Sequence, residues 1–169
     1  MGLIDHRPRR LLRRALRMPL WLYRHDLGWL LGTRVVYLAT RGRRTGLRRE
    51  TVLEVVGLNR AAGTVYVVSG WGARSDWYRN LLSAPALEIR LGRRRLQAPR
   101  HRFLDAEECR SLLIGYRARH PYAWKVIAPM LGFPADPSGI RGLDRVRAVS
   151  FSPASRPTPY RNDDEPARA

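Results

Sequence analysis

The twelve residues T-R-G-R-R-T-G-L-R-R-E-T, from Thr40 to Thr51, bring together the charge and backbone freedom that anion binding requires. Arg41, Arg43, Arg44, Arg48 and Arg49 supply guanidinium forks, which match phosphate oxygens two bonds at a time. Gly42 and Gly46 let the chain turn tightly and bring its N–H groups close to an anion. The pattern is neither a Walker loop, since the G-K-[ST] ending is missing, nor the dinucleotide G-x-G-x-x-G. Composition alone leaves a second reading open, a solvated hairpin loop that is basic because the whole chain is basic.

A second segment, S-G-W-G-A-R-S-D-W-Y-R-N-L from Ser69 to Leu81, has different chemistry. Ser69, Gly70 and Gly72 lie between a strand and a helix start, where free N–H groups and the helix dipole favour a polar or anionic ring edge. Trp71, Trp77 and Tyr78 can wall a flat heterocycle, while at least one of Trp77 and Tyr78 is expected to anchor the short helix in the core. Elsewhere the chemistry thins out. Cys109 stands alone, so no internal disulfide forms, and it reads as a packed thiol. His6, His25, His101 and His120 show no metal-ligand spacing, and no metal is expected. His101 alternates with Arg100 and Arg102 and is expected to face solvent, and Asp163, Asp164 and Glu165 read as a solvated acidic patch.

These segments need a scaffold, and the periodicities supply one. Residues 34–40, 50–57, 64–69, 87–91, 95–103 and 143–151 read as strands, rich in β-branched and aromatic side chains. Ser75 is placed to cap a short helix over 76–83. Asp105 with Glu108 three residues on has the pattern of a capping box opening a helix to about residue 119, and Pro121 starts another. No βαβ repeat appears, so the fold class is α+β: about six antiparallel strands in a barrel or strongly curved sheet, with flanking helices and an N-terminal helix.

At 169 residues one domain is expected, divided into a basic amphipathic arm over 1–33, the barrel over 34–151, and a proline-rich disordered tail over 152–169. The net charge of +18 is almost all arginine and favours an anionic partner. No run approaches the ~20 apolar residues of a membrane crossing, and no signal peptide is visible, so a cytoplasmic protein is expected. In the arm, Leu11, Leu12, Leu16, Leu20, Trp21 and Leu22 alternate with arginines, a pattern suited to lying on an anionic membrane surface at its inner face. Packing on the barrel, or across a homodimer, is the competing reading of the same helix.

Together the two chemical segments resemble the deazaflavin-dependent nitroreductase family, whose members use coenzyme F420 and share the split β-barrel of FMN-binding proteins. The resemblance spans residues 35–131. It rests on Thr40, Gly42, Arg43, Arg44, Thr45, Gly46, Arg49 and Thr51, then Ser69, Gly70 and Gly72, then Trp77, Tyr78, Asn80 and Leu81. It implies that Arg44 and Arg49, with Arg43 and Thr45, hold the cofactor's phosphate and anionic tail. Ser69, Gly70, Trp71 and Gly72 would follow the deazaflavin ring, with Trp77, Tyr78 and Asn80 closing that side. Tyr122 falls near a tyrosine of the acceptor pocket and is the candidate proton donor. His120, Trp124 and Lys125 depart from the tyrosine-rich pattern there, Val52 replaces a usual proline, and the loop from Gly72 to Trp77 is short. The implied reaction is hydride transfer from reduced F420 to a quinone, enone or nitro-type acceptor. FMN is the alternative cofactor, and a basic nucleic-acid-binding protein or a non-catalytic cofactor-binding protein are the alternatives of another class. No helix-turn-helix, zinc-finger or RNP pattern supports nucleic acid.

Overall fold

The computed structural model describes residues 18–69, 72–131 and 146–154. Residues 1–17 of the arm, and the tail from 155 on, lie outside them.

Helix α1 (Met18–Arg24) and a short 3-10 helix (Gly28–Leu31) lead into β1 (Val35–Arg41), β2 (Arg48–Asn59) and β3 (Thr64–Ser69). A single 3-10 turn (Gly72–Arg74) precedes α2 (Asp76–Ser83), followed by β4 (Glu88–Leu91), β5 (Arg94–Gln97) and β6 (Arg100–Phe103). Then come α3 (Ala106–Arg119), α4 (Pro121–Leu131) and β7 (Arg147–Ser152). All pairings are antiparallel, in the order β5-β4-β1-β2-β3-β7-β6.

One expectation needs correction. Residues 95–103 read as a single strand, but they are two, β5 and β6, at opposite ends of the strand order. Pro99 cannot donate to a ladder, and Ala98 adopts φ 43°, so the chain turns a corner between them. Strands that are consecutive in sequence but terminal in the sheet force that sheet to curl until its ends approach. The result is the split barrel.

The interior bears out the closure. Val36 and Leu38, Leu53 and Val55, Val65 and Val67, Ile89 and Leu91, Leu96, Phe103, Val149 and Phe151 join one apolar cluster, so all seven strands contribute to it. Tyr78 and Leu81 of α2 belong to the same cluster and plug one end of the barrel. Burial of each such side chain contributes about 1.5–3 kcal/mol before chain entropy is counted.

Alternate residues face outward under two helical covers. Tyr37 and Ala39 pack beneath Tyr23 of α1, whose hydroxyl donates to the Val35 carbonyl at 2.9 Å. Tyr66, Val68 and Ala148 pack beneath Leu112, Leu113 and Tyr116 of α3 and Trp124 of α4. A register shift between Val55 and Gly57 leaves Val56 as an extra residue in the outer layer and brings Leu58, which simple alternation would turn outward, into the interior. The Asp105–Glu108 capping box forms in both directions and sets the start of α3.

Candidate functional site

The β1–β2 connection is a closed turn. The Gly42 N–H donates to the Leu47 carbonyl at 2.8 Å and the Gly46 N–H to the Gly42 carbonyl at 2.7 Å. Gly46 has φ 68°, which favours glycine. A Cβ on Gly42 would stand 2.9 Å from Thr45 Oγ1 and 3.2 Å from the Leu47 carbonyl, so this site too needs glycine.

This geometry corrects the expectation that the loop cradles an anion with its backbone. The N–H groups of Gly42, Thr45 and Gly46 are spent inside the turn. That of Arg43 donates to Asn80 Oδ1 at 3.2 Å, and that of Leu47 reaches Thr45 Oγ1 at 3.4 Å. With five of the loop's N–H groups so engaged, anion binding here falls chiefly to side chains, beside the N–H of Arg44.

Strand alternation sorts those side chains. Along β2, Arg49 and Thr51 turn toward a cleft of about 630 Å³ between the loop and α2, which Glu50 between them also borders. Arg43, Arg44, Thr45, Trp77 and Asn80 line the same cleft. Arg44 and Arg49 are exposed and form no ion pair among the described residues. Arg43 is held, its Nη1 donating to Asp76 Oδ1 at 2.9 Å and Asn80 Oδ1 at 3.3 Å. Asn80 is buried and its Nδ2 donates to Thr40 Oγ1 at 3.1 Å, which ties loop, strand and helix at one point.

Arg48 points the other way and does not serve the cleft. Its Nη2 donates to Glu88 Oε2 at 2.5 Å and to the Tyr37 hydroxyl at 3.1 Å. Glu88 is only 1 % exposed and also receives Arg90 Nε and Arg95 Nε, each at 2.5 Å. Burial alone would raise its carboxyl, but hydrogen bonds from Arg90 and Arg48, with the charges of Arg90 and Arg95, hold it below the usual range. Glu50 is similarly depressed: bonds from Tyr37, Arg24 and Arg48 outweigh its partial burial. Sequence reading missed this cluster. Its signal was the pair Glu88 and Arg90, two charged residues of opposite sign two apart, and so on one face, in the short buried strand E-I-R-L.

At the second segment, Ser75 takes the N-cap position of α2, but its side chain makes no capping bond. Its Oγ lies 2.5 Å from Ser69 Oγ, which also reaches the Gly72 carbonyl at 2.7 Å. The first-turn N–H groups of α2 are therefore left without a side-chain acceptor where Ser75, Asp76 and Trp77 border the cleft. Ser69 and Gly72 are buried, and neither lines the cleft. Gly70 and Trp71 lie outside the described residues. Trp77 is half-buried at the cleft, whereas Tyr78 is turned into the barrel, 5.1 Å from Phe103 ring to ring.

Tyr122 sits on the first turn of α4, 83 % exposed, and is not among the residues lining the cleft. Trp124, read from sequence beside the acceptor pocket, is instead a core residue 6.3 Å from the Tyr116 ring. His101, expected in solvent, is half-buried edge-on to Phe103 at 5.3 Å, and burial lowers its proton affinity. Burial pushes the Cys109 thiol up to about 11, which leaves it inert. Among the described residues, no group of His, Cys, Asp and Glu could hold a metal ion, and no helix is long and apolar enough to cross a membrane.

Residues 16–126 match the family model described as F420H(2)-dependent quinone reductase. No curated protein matches the chain. Among solved structures, one described as a domain-swapped dimer aligns at 18 % identity and TM-score 0.50, over 79 % of this chain and 99 % of its own. An F420-H2 dependent reductase aligns at 20 % identity and TM-score 0.49, over 70 % of this chain and 94 % of its own. A pyridoxamine 5'-phosphate oxidase-related, FMN-binding protein from Nostoc punctiforme aligns at 17 % identity and TM-score 0.49, over 80 % and 81 % of the two chains.

Proposed function

Because the chain belongs to the F420H2-dependent quinone reductase family, we propose that the cleft between loop 42–47 and α2 binds reduced F420 and presents it to a quinone, enone or nitro-type acceptor. The observation that carries this reading is the pair Arg44 and Arg49, exposed on the cleft and unpaired among the described residues. Two unspent guanidinium groups beside an uncapped helix N-terminus fit a phosphate and a polyanionic tail. When bound, the reduced deazaflavin supplies a hydride from a ring carbon.

The rest is done by this chain. Arg44 and Arg49 fix the anionic end, Thr45 offers a hydroxyl beside them, and Trp77 gives a flat wall. In this reading the ring edge follows the loop that holds Gly70 and Trp71, and Ser69 and Gly72, buried off the cleft, brace that loop through the bonds of the Ser69 hydroxyl to Ser75 and the Gly72 carbonyl. Tyr78 contributes by anchoring α2 in the barrel, and Asn80 by holding Arg43 and Thr40. Orientation of this kind accounts for a large part of the barrier in a transfer that needs no protein nucleophile. FMN would satisfy one phosphate equally, but three cleft arginines suit a ligand with several anionic groups better.

Titration decides between them. Saturable binding of F420, followed by quinone-dependent oxidation of its reduced form, is the expected result. Protein that takes up FMN and ignores F420 would overturn the reading.

On the acceptor side, the Tyr122 phenol is the proposed proton source. Tyr122→Phe is expected to slow turnover about tenfold or more with cofactor affinity unchanged. Turnover at the wild-type rate with several acceptors would reduce Tyr122 to a surface residue.

We also place the enzyme at an anionic membrane surface, where lipophilic quinones reside. Trp21, Trp29 and Leu30 are 54 %, 44 % and 57 % exposed on the N-terminal side of the barrel. Arg93 stacks over Trp29 at 5.2 Å, which sets a cation beside that apolar group. The protein should sediment with anionic vesicles at low salt and not with neutral ones, each arginine near the surface adding about 1 kcal/mol. Indifference to anionic vesicles would remove this placement. A homodimer is the further assembly proposed, since a structure of the same fold is described as a domain-swapped dimer.

A further inference from the structure

The three cleft arginines are not equivalent, and the difference lies in Asp76. Arg43 Nη1 stands 2.9 Å from Asp76 Oδ1, an ion pair at the start of α2, while Arg44 and Arg49 carry none among the described residues. The Arg43 side chain is 22 % exposed and pinned from behind by Asn80, whereas the Asp76 side chain is 84 % exposed. The guanidinium is therefore fixed in place and its carboxylate partner is free to swing away.

We propose that Asp76 is an intramolecular counter-ion, occupying on Arg43 the position that an anionic group of the ligand takes on binding. The proposal rests on the cleft being the anion site. Asn80 keeps Arg43 aimed at the cleft throughout, through its bonds to the Arg43 N–H and Nη1 and to Thr40. Asp76 neutralises that aimed charge until a stronger anion displaces it. A ligand with a single anionic group is served by Arg44 and Arg49 alone. One with more must exchange Asp76, so Asp76 sets a threshold on ligand charge and is thereby a determinant of specificity.

A double-mutant cycle tests this with two probes, F420 and inorganic pyrophosphate, using the full chain and checking folding by melting temperature. Asp76→Asn is expected to tighten binding about three- to fivefold, the scale of an exposed ion pair released. In an Arg43→Gln background the same change should have no effect, because the exchange has lost its site. Equal tightening in both backgrounds would show only long-range repulsion and overturn the proposal, as would no tightening in either. If F420 fails to bind any variant while pyrophosphate shows the cycle, the counter-ion stands and the cofactor assignment falls.

Discussion

Replacing Arg44 and Arg49 together by alanine is expected to abolish F420 binding at micromolar concentrations while leaving the melting temperature unchanged. Each guanidinium makes charge-assisted bonds to an anionic group in the proposed complex, so each loss costs about 1.5–3 kcal/mol, roughly ten- to a hundredfold in affinity. The two share one ligand, so their effects need not add. Stability should be indifferent, since both side chains are exposed and unpaired among the described residues. Fluorescence titration and a thermal melt on the same samples separate the two quantities. Binding within threefold of wild type in the double variant would show that the anion is held elsewhere.

The second large effect is on stability. Glu88→Gln is expected to lower stability by about 2–3 kcal/mol, somewhat less than a fully buried pair because Arg48 and Arg95 can still reach solvent. In a domain of this size that is about 5–10 °C of melting temperature. The pH dependence follows from the direction of the shift. Glu88 in the folded chain lies below its ordinary carboxyl value of 4.5, so the unfolded chain binds the proton more readily. Its contribution is complete above pH 4.5 and is lost as pH falls through the folded value. Wild type and Glu88→Gln should therefore differ most near neutrality and converge in acid. A difference that stays constant down to about pH 3 would mean that the substitution destabilises by shape and not by loss of charge.

The sequence was informative where local chemistry decides. Asp105 and Glu108 capped their helix as the spacing requires, and the runs 34–40 and 64–69 formed strands. Arg44 and Arg49 could be singled out with the help of the family pattern, and both reached the cleft. What could not be read was which way neighbouring arginines turn. Arg48 and Arg49 are adjacent and chemically identical, yet strand alternation sends one to a buried carboxylate and the other to the cleft. Counting two from Thr51 would have separated them, had the strand been known to begin at Arg48 and not at 50. The commitment of the Arg43 N–H was also invisible, because it depends on Asn80, far along the chain. Trp124 was misplaced for a similar reason: its partners on α3 and the sheet are set by tertiary packing.

The seam of the barrel bears on synthesis. Strand β7 lies between β3 and β6, pairing Val67 with Val149 and Phe103 with Val149 from its two sides. Among the described residues it is also the last strand made. Until residues 147–152 leave the ribosome, β3 has one edge unsatisfied and β6 has no partner at all, so the nascent chain carries an open, strongly apolar half-shell. These long-range pairings are the slow ones to form. The chain is thus most vulnerable to pairing with its neighbours on a polysome until that strand emerges. Truncation just ahead of Arg147 would leave it in that state permanently.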